Sequence, residues 1–90
     1  RHYSINTEPS WSPDGERFVF TSDRSGNPQI YIQALDGGEP ERLTFEGNYN
    51  AHPIYGPEGE EIYYIHRADG RFLLGSVDLE SGEERVLSGS

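Results

Sequence analysis

Sixteen residues of this chain, EPSWSPDGERFVFTSD at 8–23, return forty-four positions later, without a gap, as HPIYGPEGEEIYYIHR at 52–67. The register runs well beyond that stretch, pairing Asn6 with Asn50, Pro13 with Pro57, Gly15 with Gly59, Gly26 with Gly70, Leu35 with Leu79 and Leu43 with Leu87. A period of about 40–45 residues belongs to four-stranded propeller blades and to some helical arrays. A repeated unit buries its apolar face against a neighbour, so two copies leave faces still to be covered. What covers them bears directly on function.

Hydrophobic periodicity favours blades over helices. The runs at 17–22, 29–35, 61–67 and 72–79 are short, rich in aromatic and aliphatic residues, and bounded by Gly, Pro, Asn and Asp. Shorter strands are expected at 9–11 and 53–55, and at 41–45 and 84–88, giving four per unit. The turns agree: SPDG at 12–15 and GPEG at 56–59 put Pro where a fixed φ fits and Gly where the chain reverses. The expected fold is all-β, two four-stranded antiparallel blades, with the first at 1–46 and the second at 47–90.

Sixteen acidic against seven basic residues give a formal charge of −9, which repels phosphate backbones and anionic lipid. Nucleic-acid binding is not expected, and no apolar run has the length of a membrane span. The first residues, RHYSINTEP, lack the apolar stretch of an export signal. With no cysteine, thiolate metal sites and cysteine nucleophiles are excluded.

The Pro-Ser-Trp-Ser-Pro-Asp-Gly turn at 9–15, the Ser-Asp-Arg at 22–24 and the Ile-Tyr pair at 30–31 closely resemble the repeat of the TolB carboxy-terminal β-propeller family. The second copy keeps the spacing but has Tyr55 for Trp11, Gly56 for Ser12, His66–Arg67 for Ser22–Asp23 and Gly75 for Tyr31. The resemblance implies a six-bladed ring, a periplasmic location, and binding of the peptidoglycan-associated lipoprotein Pal or a similar protein or peptide. The same repeat resembles the gating propellers of prolyl-oligopeptidase-type peptidases and the scaffold of some oligogalacturonate lyases. A designed or reconstructed building block without a natural ligand also fits two isolated repeats. Open blade faces point to self-association, with a homotrimer completing six blades.

No enzyme activity is expected: no Gly-x-Ser-x-Gly elbow occurs, and serines lie mainly in turns. No cofactor or metal is expected either. The three histidines form no close pair, and a Ca²⁺ held by Glu8 or Asn50 oxygens is the nearest approach to a metal site. The expected partner site is the channel mouth, formed by the connections entering each unit and the loops between second and third strands. Glu8, Tyr49, Asn50, His52, Arg67 and Arg71 are its candidate residues. Trp11 and Tyr55, beside matched turns, are expected to pack between blades.

Overall fold

The turn residues determine how each sheet winds. In the computed structural model, which describes residues 9–87, Ser12 Oγ donates to Asp14 Oδ1 at 2.6 Å while accepting from the Arg17 amide at 3.0 Å. Gly15 then reverses the chain with φ 74°. That turn joins β1 (Ser10–Trp11) to β2 (Arg17–Ser22), which pairs antiparallel with β3 (Gln29–Ala34), and β3 with β4 (Gly37–Arg42). The second sheet repeats the order with β5 (Asn50–Tyr55), β6 (Glu61–Ala68), β7 (Arg71–Asp78) and β8 (Glu84–Val86). Both sheets are four-stranded and wind up and down in sequence order, as the repeat predicts. No helix occurs among the described residues.

Two strands begin more than one residue from where they are expected. β4 starts at Gly37 because the β3–β4 hairpin is tight, and it ends at Arg42 because Thr44 takes the Ile30 amide on its own Oγ1 at 2.9 Å, displacing the backbone ladder. β5 begins at Asn50, three residues early, because a register shift between Ala51 and Ile54 lets the chain pair before and after it. The β6–β7 hairpin closes on Asp69–Gly70, with φ 53° and 76°, the two left-handed residues that match the twist of paired strands.

Alternation decides which side of each sheet faces the seam, although Phe20 and Tyr31 on the opposite side of the first sheet are buried as well, with the Arg24 guanidinium over both rings. On the first sheet Val19, Thr21, Ile30 and Ile32 point to the second; on the second sheet Ile62, Tyr64 and Val77 point back. Apart from the polar Thr21 these residues form one hydrophobic cluster, with Leu43, Tyr55 and Leu79 at its margin. Gly75 stands where the first unit has Tyr31, and its missing side chain admits the Tyr64 ring, whose Cε2 lies 2.6 Å from where a β-carbon would be. Tyr55 packs between the sheets as expected. Trp11 does not: it lies on the outer side of the first sheet, 50% exposed, its ring tilted against that of Phe18 with centroids 5.1 Å apart.

Candidate functional site

The seam between the two sheets closes over a polar cluster at the end of the molecule that carries the β2–β3, β4–β5 and β6–β7 connections. Gln29 Oε1 accepts from Thr44 Oγ1 at 2.7 Å and from Asn50 Nδ2 at 2.9 Å, while Gln29 Nε2 donates to the Gly47 carbonyl at 3.2 Å. Asn50 Nδ2 also donates to the Glu46 carbonyl at 2.9 Å, and Asn50 Oδ1 lies 2.7 Å from His66 Nδ1. Gln29, Thr44 and Asn50 are buried, and buried polar groups of this kind are held in place by each other's bonds. The Glu84 carboxylate reaches across from β8 to accept from the Phe45 and Glu46 amides at 3.0 and 3.3 Å. It straps the connecting loop beside a groove of about 530 Å³ lined in part by Glu46, Tyr64, His66 and Arg85.

That scaffold sets the rim. Tyr49 precedes β5, and its carbonyl accepts from the Arg67 amide at 3.1 Å. Its ring meets the Phe72 ring edge-on at 5.9 Å, and the Arg67 guanidinium lies over Phe72 at 5.8 Å. Phe72 is exposed despite its size, an aromatic kept at the surface with a cation on its face. His52 is exposed at the β5 bulge with φ 59°, a left-handed conformation that costs a non-glycine residue energy and re-aims its side chain. The hydroxyl of buried Thr21, on the first sheet, anchors it by accepting from the His52 amide at 3.1 Å.

Of the six candidate residues, the structure clusters Tyr49 and Arg67, and keeps His52 exposed on the adjoining strand. Asn50 is buried, with its side-chain amide donating to Gln29 and Glu46 and its Oδ1 beside His66, so its side chain sits inside the seam rather than at the rim. Arg71 shares the loop end but pairs with Ala68 whereas Arg67 pairs with Phe72, so the two arginines leave opposite sides of the hairpin. Glu8 lies outside the described residues. Sequence reasoning missed Phe72, which reads as one more apolar strand residue; its place beside an Asp-Gly turn, where a strand end projects past its sheet, was the available signal. It also missed Gln29, Thr44 and Glu84, whose roles depend on contacts 14 to 39 residues apart.

Charge is uneven between the two ends. The turns at the far end carry Asp14, Glu16, Asp36, Glu58, Glu60 and Glu80, whereas the loop end sets Arg24, Arg67 and Arg71 against Asp23, Glu46 and Asp69. The Ser12 hydroxyl and the Glu16 amide hold the Asp14 carboxyl below the usual carboxylate range, and the Ser81 and Glu80 amides do the same for Asp78. Burial pushes the Tyr64 phenol well above its ordinary value, its hydroxyl donating to the Ser76 carbonyl at 3.1 Å. Among the described residues no group of three or more histidines and carboxylates is arranged to hold a metal ion.

A sequence profile described as the TolB beta propeller domain matches residues 1–90. The Tol-Pal system protein TolB of Bordetella pertussis is 50% identical to the chain, covering 98% of it and 30% of that protein. A Bacillus subtilis protein named as the uncharacterized peptidase YuxL is 43% identical over 63% of the chain and 9% of its own length. Among solved structures, TolB from Acinetobacter baumannii superposes with a TM-score of 0.85 at 38% identity, covering 94% of this chain and 22% of that one. An oligogalacturonate lyase from Vibrio parahaemolyticus shares the fold, with a TM-score of 0.73 at 21% identity over 93% of this chain and 23% of its own. The chain thus spans 30% of the length of the Bordetella relative.

Proposed function

Because the chain belongs to the TolB beta propeller domain family, we propose that it is a non-enzymatic protein-binding module whose partner seats on the loop end of the two blades. The observation that carries this reading is the exposed Tyr49–Phe72–Arg67 cluster, with His52 exposed on the strand that follows Tyr49. Two aromatic rings in contact, one of them under a cation, give large contact area at small entropic cost, the composition of an interface anchor. The loop end also carries as many arginines as carboxylates on a chain whose net charge is −9, so an approaching acidic protein meets less repulsion there than at the turns opposite. The partner this supports is a Pal-like lipoprotein domain or a peptide from one, and the compartment is the periplasm, both carried over from the Tol-Pal relative.

A second reading concerns architecture. The chain is a self-assembling scaffold, three copies closing a six-bladed homotrimeric ring, and it is favoured by exposed apolar residues on the outer side of both sheets. Isothermal titration against the soluble domain of a Pal-type lipoprotein tests the first reading. Binding that Tyr49→Ala or Phe72→Ala weakens tenfold or more supports it. Absence of binding by the wild-type chain would remove the partner reading and leave a scaffold without a ligand.

A further inference from the structure

Hydrogen bonding through the polar seam fixes which nitrogen of His66 carries the proton. The Gly47 carbonyl accepts from Gln29 Nε2, so the Gln29 oxygen faces the other way, where it accepts from Thr44 and Asn50. Asn50 Nδ2 is thereby a donor, to Gln29 and to the Glu46 carbonyl, and its Oδ1 is left as an acceptor opposite His66 Nδ1. A proton lies between those two atoms, and only the imidazole can supply it. The neutral ring is therefore the Nδ1–H tautomer, with a lone pair on Nε2. Gly47 lets the loop close on that ring: its φ is 83°, and a β-carbon there would lie 2.8 Å from His66 Cε1. Nε2 makes no hydrogen bond among the described residues. It is open to solvent, since among those residues the Tyr55 hydroxyl is the only buried side-chain polar atom without a partner.

The His66 ring is part of the wall of the groove of about 530 Å³ between the β4–β5 connection and strands β6 and β8. The other polar groups there are mostly acceptors. The Glu46 carboxylate is exposed and has no partner among the described residues, while the Glu84 oxygens accept the Phe45 and Glu46 amides. Arg85, the one cation in the lining, pairs with Glu83 at 3.2 Å. Half-exposed Val86 supplies an apolar wall. We propose that this groove binds a lysine side chain presented by a partner protein, its ammonium held by Glu46, Glu84 and His66 Nε2 and its methylene stem lying along Val86. An ammonium has three donors and no acceptor, the complement of two carboxylates and an imidazole lone pair. Arginine fits less well, because its planar fork takes both oxygens of one carboxylate, and those of Glu84 already hold backbone amides. The first repeat has Ser22 in place of His66 and Pro40 in place of Glu84, so the set belongs to the second repeat alone. Neither Tyr49, Phe72 nor Arg67 lines the groove, and the site stands apart from whatever the rim binds.

Titration of the nitrogen-15-labelled chain with capped tripeptides, read by magnetic resonance at the His66 ring nitrogens, tests the site. In the neutral ring Nδ1 should carry the hydrogen and Nε2 none; the opposite tautomer would remove the acceptor and overturn the proposal. Acetyl-Ala-Lys-Ala-amide should shift the Nε2 resonance to saturation at millimolar concentration. The same peptide with norleucine keeps the stem, drops the charge and should leave that resonance unmoved, and the arginine peptide should bind at least threefold more weakly. Glu46→Gln is an exposed change that should preserve the fold, as circular dichroism checks, and should weaken the lysine peptide at least fivefold. Arg85→Gln removes the competing cation and should tighten it. Equal shifts from the norleucine or arginine peptide, wild-type affinity in Glu46→Gln, or no shift from the lysine peptide would overturn the proposal. Shifts confined to Tyr49 and Phe72 would do so too, by placing the peptide at the rim.

Discussion

Replacing Asn50 by alanine should be among the most damaging single changes in the polar seam. The side chain donates to Gln29 Oε1 and to the Glu46 carbonyl, and its oxygen meets His66 Nδ1. Gln29 Oε1 would keep its bond from Thr44, whereas the Glu46 carbonyl and the His66 ring lie close enough to solvent to recruit water. Three bonds at a net value of about 0.5–1.5 kcal/mol each put the loss at about 2–4 kcal/mol. Small domains have only about 5–15 kcal/mol in total, and a domain of this size loses about 4–8 °C of Tm per kcal/mol. Melting and urea unfolding should therefore show a fall of roughly 10–25 °C with an unchanged urea slope. Asn50→Asp sharpens the test: its carboxylate would put an acceptor opposite two acceptors, which raises the carboxyl's folded pKa, so this variant should lose stability as pH rises above the ordinary aspartate range. A loss below about 1 kcal/mol for Asn50→Ala would show that water replaces the side chain, and that the cluster does not hold the seam.

Gly75→Ala should cost about 1–3 kcal/mol by thermal melt, because its β-carbon would overlap the Tyr64 ring, which is packed in the core and bonded to Ser76; a neutral result would mean that the ring swings aside. Ile62→Ala should cost about 2–5 kcal/mol, since Ile62 is fully buried in the seam; a loss of less than 1 kcal/mol in urea unfolding would relocate the core. Asp14 and Asp78 have lowered folded pKa values, so their stabilisation is present above the unfolded carboxylate value and is lost as pH falls through the folded one. Tm should decline below about pH 4, and Asp14→Asn with Asp78→Asn should flatten that limb; an unchanged acid limb would assign it to other carboxylates.

Turn chemistry was the most legible part of the chain. Pro13, Asp14 and Gly15 act within four residues, so the sequence contains every partner of that turn, and the strand pattern between turns then has few ways to fold. Ends of strands were less legible where a side chain ends the ladder, as Thr44 does for β4, since nothing adjacent in sequence marks Thr44 as the partner of Ile30. The same limit explains Asn50, which stood out as a polar residue in a connecting loop and proved to be buried. Trp11 shows the complementary case: its type and its place beside a matched turn suggest packing between blades, yet it stands half exposed on the outer side of the first sheet.

His52 links the seam to the rim, so stability and recognition should be separable there. Its left-handed φ of 59° persists because the β5 bulge is tied down from the first sheet by the Thr21 hydroxyl. Thr21→Val keeps the volume of a fully buried side chain and removes that acceptor, leaving the His52 amide to find another partner. Stability should fall by about 1–2 kcal/mol, a modest effect beside that of Asn50→Ala. Affinity for a Pal-type domain should drop further than stability alone explains, since a relaxed bulge no longer aims the imidazole. His52→Ala should then cost little extra affinity in the Thr21→Val background, although it weakens binding in the wild type. Full additivity of the two changes in titration would show that the bulge and the side chain act independently, and would detach the rim from the seam.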